Sequence, residues 1–171
     1  IGLGCAFIFQ VQFEEAAACL QQALILNPDH PEGNHNLGLA LASQNKMEEA
    51  VGYFQKASQL KPDFVESYWQ SKLVLPVLYE TQQQIPLWRQ RFCRGLNNLI
   101  QQTSLDIPHT RKLALTPLEK TSFTFYLAYQ GFNDRGVQRK LGKFIHRVMT
   151  ANYPQWARPM PMPPLSNTGK I

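Results

Sequence analysis

Leu3–Pro28 reads LGCAFIFQVQFEEAAACLQQALILNP, and Leu37–Pro62 reads LGLALASQNKMEEAVGYFQKASQLKP. Aligned at a step of 34 residues, Leu3/Leu37, Gly4/Gly38, Glu14/Glu48, Glu15/Glu49, Ala16/Ala50, Ala23/Ala57 and Pro28/Pro62 coincide, with Asp29/Asp63 following in register and Leu20 facing Phe54. These eight identities, all at one offset, make the two stretches a repeat. Small residues at fixed places mark where two helices cross closely, and Leu20 or Phe54 fills the space beside them. Proline ends the second helix of each unit because it cannot continue the hydrogen-bond ladder.

A 34-residue period resembles the tetratricopeptide repeat, a helix–turn–helix unit that buries its apolar face only by stacking on a neighbour. The fold class expected is therefore all-α: helix–turn–helix repeats, then a helical connector and a proline-rich tail. Residues 1–64 hold two repeats, the first incomplete and running from before Ile1 to about Pro28. The second runs from Pro31 to Asp63, packs through Leu37, Gly38, Leu41, Ala50, Phe54 and Ala57, and turns at Asn45-Lys46. A third helix is expected from Val65 to Glu80, with Tyr68 and Leu75 in register. It departs from the pattern where Ser71 and Lys72 replace Leu-Gly, and Pro76 would kink it. Residues 65–82 are read as a helix that caps the array.

The chain of 171 residues, 44% apolar, is large enough for a short repeat array with an appendage. No apolar run approaches a membrane span, and no stretch of the sequence reads as a signal peptide. Cys5, Cys19 and Cys93 are odd in number and form no C-x-x-C pair, which suits a reduced, cytoplasmic-type compartment. Ile1 stands where a methionine would and lies inside a repeat helix, so a piece of a longer protein is expected. Charge divides the chain. Residues 1–70 carry three Lys/Arg against eight Asp/Glu, and residues 71–171 carry fourteen against four. Two different modules are implied.

Residues 83–152 are expected to form the helical connector. A helix starts near Pro86 with Trp88, Phe92, Leu96, Leu99 and Ile100 on one stripe and Arg89 and Arg94 off it. Thr103–Lys120, with two prolines, reads as loop with a short helix, and the aromatic stretch Ser122–Gln130 as a buried helix. Asp134 is placed to cap a helix running to about Met149. Val137, Leu141, Phe144, Ile145, Val148 and Met149 fall on one side of it. Arg135, Arg139, Lys140, Lys143 and Arg147 fall on the other, with His146 beside them. Residues 153–171, with five prolines, are expected to be an extended linker.

No catalytic, cofactor-binding or metal-binding residue is assigned. His30, His35, His109 and His146 lack metal-site spacing, and neither Gly2-x-Gly4 nor Gly131 lies in a strand–turn–helix pattern that would cradle a phosphate. The inner helix of the second repeat offers Glu32, His35, Asn36, Leu39 and Ala42 to a groove that would take a protein or peptide. The basic face (Arg135, Arg139, Lys143, Arg147) would suit phosphate-rich partners, but its aromatics lie on the buried side, so a solvated or intramolecular face is the reading adopted. Partners are therefore expected to be protein, not nucleic acid or membrane.

Asn27–Leu41 (NPDHPEGNHNLGLAL) resembles the repeats of the O-linked N-acetylglucosamine transferase/SPINDLY family. Asn36 matches the asparagine that recurs along the groove of those repeats, where it holds target backbones; Gly2 and Gln70 occupy the flanking equivalents. Leu75–Phe92 (LPVLYETQQQIPLWRQRF), Phe125–Asp134 (FYLAYQGFND) and Met149–Trp156 (MTANYPQW) resemble the region joining repeats to catalytic domain in bacterial, particularly cyanobacterial, members. The resemblance implies that sugar transfer from a nucleotide-sugar to Ser/Thr hydroxyls belongs to two Rossmann-like halves beginning about where Pro164–Ile171 ends. Some members place a histidine near the aromatic segment; Phe123, Thr124 and Phe125 stand there, so no catalytic residue is carried over. The chain by itself is expected to bind protein rather than to be an enzyme, with a non-enzymatic scaffold as the alternative.

Overall fold

The computed structural model describes residues 1–120 and 125–156. Four helices pair in sequence order, α1 (Gly2–Phe9) with α2 (Phe13–Leu26) and α3 (Pro31–Ser43) with α4 (Met47–Leu60). Among the described residues every regular element is helical. The repeat register holds at the level of atoms. A Cβ built on Gly4 would lie 2.5 Å from Leu20 Cγ, and one on Gly38 2.7 Å from the Phe54 ring. The glycine of each inner helix thus accepts the bulky residue of its partner, 16 positions later in both repeats.

The connections are built from local chemistry. Pro31 opens α3, where a missing N–H costs nothing. His30 Nδ1 accepts the Gly33 N–H at 3.1 Å, capping the helix. The buried Asn34 amide donates to the carbonyls of Pro28 and His30 at 3.0 and 2.9 Å, fixing the corner between repeats. Asn45, at the expected turn, is left-handed with φ 61°, a conformation asparagine tolerates. Its counterpart 34 residues earlier is Val11, held at φ 62°. A β-branched residue there is strained.

The third helix, α5, covers Val65–Leu73 and stops well short of Glu80. Pro76 forces the chain ahead of it toward extended geometry, and Val74 already has φ −62° and ψ 138°. The helix is therefore ended, not kinked. Arg91 closes that end, donating to the carbonyls of Val74 (3.2 Å) and Ser71 while lying 5.1 Å over the Trp88 ring. Burial pulls the Arg91 guanidinium below its ordinary pKa. Residues 74–83 then lead to α6 (Gln84–Gln102), which packs along α5. Phe92 and Gly95 in α6 repeat the spacing of Phe54 and Ala57 in α4, and Phe92 is as deeply buried as Phe54. At Gly95 the approach is closer still, since a Cβ would sit 2.4 Å from the Lys72 carbonyl oxygen.

Beyond α6 come two short helices, α7 (Pro108–Leu113) and α8 (Thr116–Lys120), a 3₁₀ turn at Phe125–Gln130, and α9 (Arg135–Asn152). The expected loop thus holds two helices, and the aromatic stretch is a 3₁₀ turn over its described part. Residues 122–124 of that stretch and the tail from residue 157 lie outside the described residues. Asp134 does not cap α9 with its side chain. Asn133 Oδ1 accepts the Arg135 N–H instead, at 3.0 Å, because Asp134 is drawn to Arg89. Two cores result. One lies within the repeats around Leu20, Leu37, Leu41 and Phe54; the other gathers Trp69, Leu73, Phe92, Leu96, Leu127, Leu141, Phe144 and Val148 and reaches back to Met47.

Candidate protein-binding groove

The inner face of the second repeat meets α5 and the chain that follows it around a cavity of about 330 Å³. Leu39, Ala42 and Ser43 line it from α3, Gln70 and Leu73 from α5, Leu75 and Val77 from the segment after α5, and Tyr126 from the 3₁₀ turn. Its walls are mainly aliphatic, with Gln70, Ser43 and Tyr126 as the residues that carry polar groups. That is the composition of a pocket that takes an apolar side chain and orients a backbone beside it. Asn45 holds its rim, accepting the N–H groups of Val77 and Leu78 at 3.0 and 3.2 Å and donating to the Leu78 carbonyl at 2.8 Å.

The expected groove residues divide. Leu39 and Ala42 line the cavity. His35 does not: it is 5% exposed, its ring 5.5 Å from that of Phe54 and 4.7 Å from that of Phe64. Its Nδ1 shares a 2.7 Å hydrogen bond with the fully buried Ser67 Oγ. The residue is packing between repeats, because α5 covers the side of α3 from which it projects. Asn36 is half-buried and donates to Cys5 Sγ at 3.0 Å, tying α3 to the preceding inner helix.

Glu32 accepts from Lys61 Nζ at 2.9 Å, and that hydrogen bond holds its carboxyl below the usual carboxylate range. The nearby His30 Nδ1, 3.5 Å away, is no ion-pair partner while it accepts the Gly33 N–H. Glu32, His35 and Asn36 therefore stand outside the cavity. Gln70, Leu73 and Val77 stand 34 residues after Asn36, Leu39 and Ser43, yet sequence spacing did not assign them to the groove, because the third helix departs from the repeat pattern at Ser71 and Lys72.

The connector contains a second polar centre. Arg89 Nη1 lies 2.6 Å from Asp134 Oδ1, and both side chains are largely buried. Arg89 also donates to Gln130 Oε1 and the Asn133 carbonyl, each at 3.3 Å, and lies 4.9 Å over the Phe132 ring. Gln130 in turn donates to Tyr79 Oη at 2.6 Å. One guanidinium so joins the segment after α5, α6 and the entry to α9; removing one member of such a pair would strand the other charge.

On α9, Arg135, Arg139, Lys143 and Arg147 are exposed as expected, and Lys140 donates to Asn97 Oδ1 at 2.7 Å. Val137, Leu141, Phe144, Ile145 and Val148 turn inward, but Met149 is exposed. Among the described residues no cluster of three His, Cys, Asp or Glu is placed to hold a metal, and no helix is long and apolar enough to cross a membrane.

Comparison with curated proteins gives no match. Residues 1–63 match the tetratricopeptide repeat family model, over the same helix pairs whose glycine crossings set the 34-residue register. The chain is thus a protein containing tetratricopeptide repeats, all-α in its described residues.

Proposed function

We propose that the chain is a protein-binding module that holds an apolar residue of a partner peptide in the cavity between α3 and α5. The observation that carries this reading is the aliphatic cavity at the inner face of the second repeat, rimmed by the segment that Asn45 clamps. Peptides selected from a displayed library should bind with affinity in the low micromolar range, about −8 kcal/mol. Ala42→Arg, which fills the cavity, should weaken them at least about tenfold, whereas Gln55→Arg on an exposed face of α4 should not. Equal losses from both variants would refute the site.

The finer reading is that this module serves a glycosyltransferase of the O-linked N-acetylglucosamine transferase/SPINDLY type, in a cytoplasmic setting, by recruiting acceptor proteins. Its support is the resemblance of the connector segments, together with the bonding of two of them through Tyr79, Arg89, Gln130 and Asp134. Donor binding is then not a task of residues 1–171. Calorimetry of this chain with UDP and UDP-sugars should give no saturable heat. Saturable micromolar binding would instead place a donor site in the connector.

A further inference from the structure

We infer that the exposed cationic row of α9 is a second docking surface, for an extended acidic segment of a partner protein. Arg135, Arg139, Lys143 and Arg147 recur every fourth residue, and residues 135–152 contain no Asp or Glu. Like charges at that spacing repel along a helix, and Arg135 in the first turn opposes the helix dipole. The pattern destabilises an isolated helix, so an anionic partner would relieve it.

Among the described residues no such partner is present: no ion pair there reaches these four cations. Asp134, the acid nearest in sequence, is paired with Arg89, and residues 157–171 contain no acidic side chain.

A second observation bears on the shape of the ligand. Gly136 and Gly142 lie inside α9 on its exposed side, and a Cβ at either would meet nothing within 4 Å. Glycine is unfavourable in a helix interior, and no packing within this protein requires it at these two places. The glycines lie three positions before and after Arg139, one on each side of the cationic row, so no side chain there blocks a backbone that approaches Arg139.

Geometry and composition favour an extended peptide. The four cations are spaced about 6 Å apart along the helix. Side chains on one face of an extended strand are spaced about 6.6 Å apart, close enough to meet two or three neighbouring cations before the row, which turns about 40° at each step, winds away from the strand. Single-stranded nucleic acid binding relies on exposed aromatic platforms, and the one aromatic ring of Phe, Tyr or Trp type on α9, Phe144, is buried.

The probe is a labelled peptide alternating Glu and Ser over about eight residues, long enough to span the row. Fluorescence anisotropy at about 0.05 M salt should show saturable binding that weakens as salt shortens the screening length. Arg139→Gln/Lys143→Gln should weaken it about tenfold with an unchanged circular dichroism spectrum. Gly136→Ala/Gly142→Ala should raise the melting temperature yet weaken the peptide several-fold, a split that a merely structural role for the glycines would not produce. The inference is overturned if the peptide does not saturate at about 1 mM, if either double variant binds it as the parent does, or if a Gln/Ser peptide binds equally. It is overturned too if a single-stranded oligonucleotide binds more tightly through the same residues, or if sedimentation shows a salt-sensitive dimer that Arg139→Gln/Lys143→Gln dissolves.

Discussion

Replacing Gly95 by alanine tests the packing of α5 on α6 with one added methyl group. The new Cβ would lie 2.4 Å from the Lys72 carbonyl oxygen and 3.0 Å from its carbonyl carbon. Both are backbone atoms of a helix, so no side chain can rotate away. The helices must part by about 1 Å to restore ordinary contact, and a gap of that size forfeits a quarter to a half of the attraction between facing atoms. Those atoms belong to Trp69, Leu73, Phe92, Leu96 and Leu99, all nearly inaccessible to solvent.

Overpacking against backbone that cannot rotate away falls in the upper part of the usual range, about 2–3 kcal/mol, and the better helix propensity of alanine returns about 1 kcal/mol. A net loss of about 1–2 kcal/mol should lower the melting temperature by roughly 2–8 °C. Gly52→Ala is the control. Gly52 lies in α4 with nothing within 4 Å of its Cβ position, so only the propensity gain remains, and the melting temperature should rise by about 2–4 °C. Thermal unfolding followed by circular dichroism reads both. A Gly95→Ala protein at least as stable as its parent, or a Gly52→Ala protein less stable, would refute the assigned crossing.

Val11→Gly should stabilise the protein by about 1 kcal/mol, since valine is held at φ 62° where glycine pays no steric penalty; urea denaturation checks this, and a fall in the midpoint would mean the side chain packs usefully. Lys61→Met should move the Glu32 titration, followed by carboxyl NMR, upward toward its ordinary value. Because the carboxyl is depressed in the folded state, its contribution is present above the usual carboxylate pKa and disappears as pH falls through the lower folded value. The stability difference between Lys61→Met and its parent should accordingly be small at pH 7, both side chains being nearly half exposed, and vanish in stronger acid. A difference that persists at pH 2 would exclude the pair as its source.

The repeat was legible because its signal is redundant. Glycine, alanine, an aromatic or leucine and proline recur at one step, and in each repeat the glycine meets the bulky residue of the same set in the structure. The end of α5 was harder to read. Pro76 announces a break, but whether a helix bends or stops depends on who satisfies its last carbonyls, and Arg91 lies 15 positions further on. His35 shows the same limit from another side. Its place on α3 follows from periodicity, yet only the arrival of Phe64 and Ser67 decides that it is covered. Asp134 looked like a cap because aspartate before a helix usually is one. A guanidinium 45 positions earlier outcompeted the local N–H. Local chemistry is readable from the letters, whereas competition between local and distant partners is not.

Met47 opens the outer helix of the second repeat, yet its side chain belongs to the core that gathers Trp69, Phe92 and Phe144. The consequence concerns where this chain can be divided. A fragment ending at residue 64 would keep every position of the 34-residue pattern while exposing Met47 and leaving His35 without Ser67 and Asn45 without Val77 and Leu78. The unit of inheritance, copied once per repeat, is therefore shorter than the unit of cooperativity. Expression boundaries, proteolytic trimming and recombination between related arrays should all find the cut after Phe64 costly, although the alignment of the two repeats invites it.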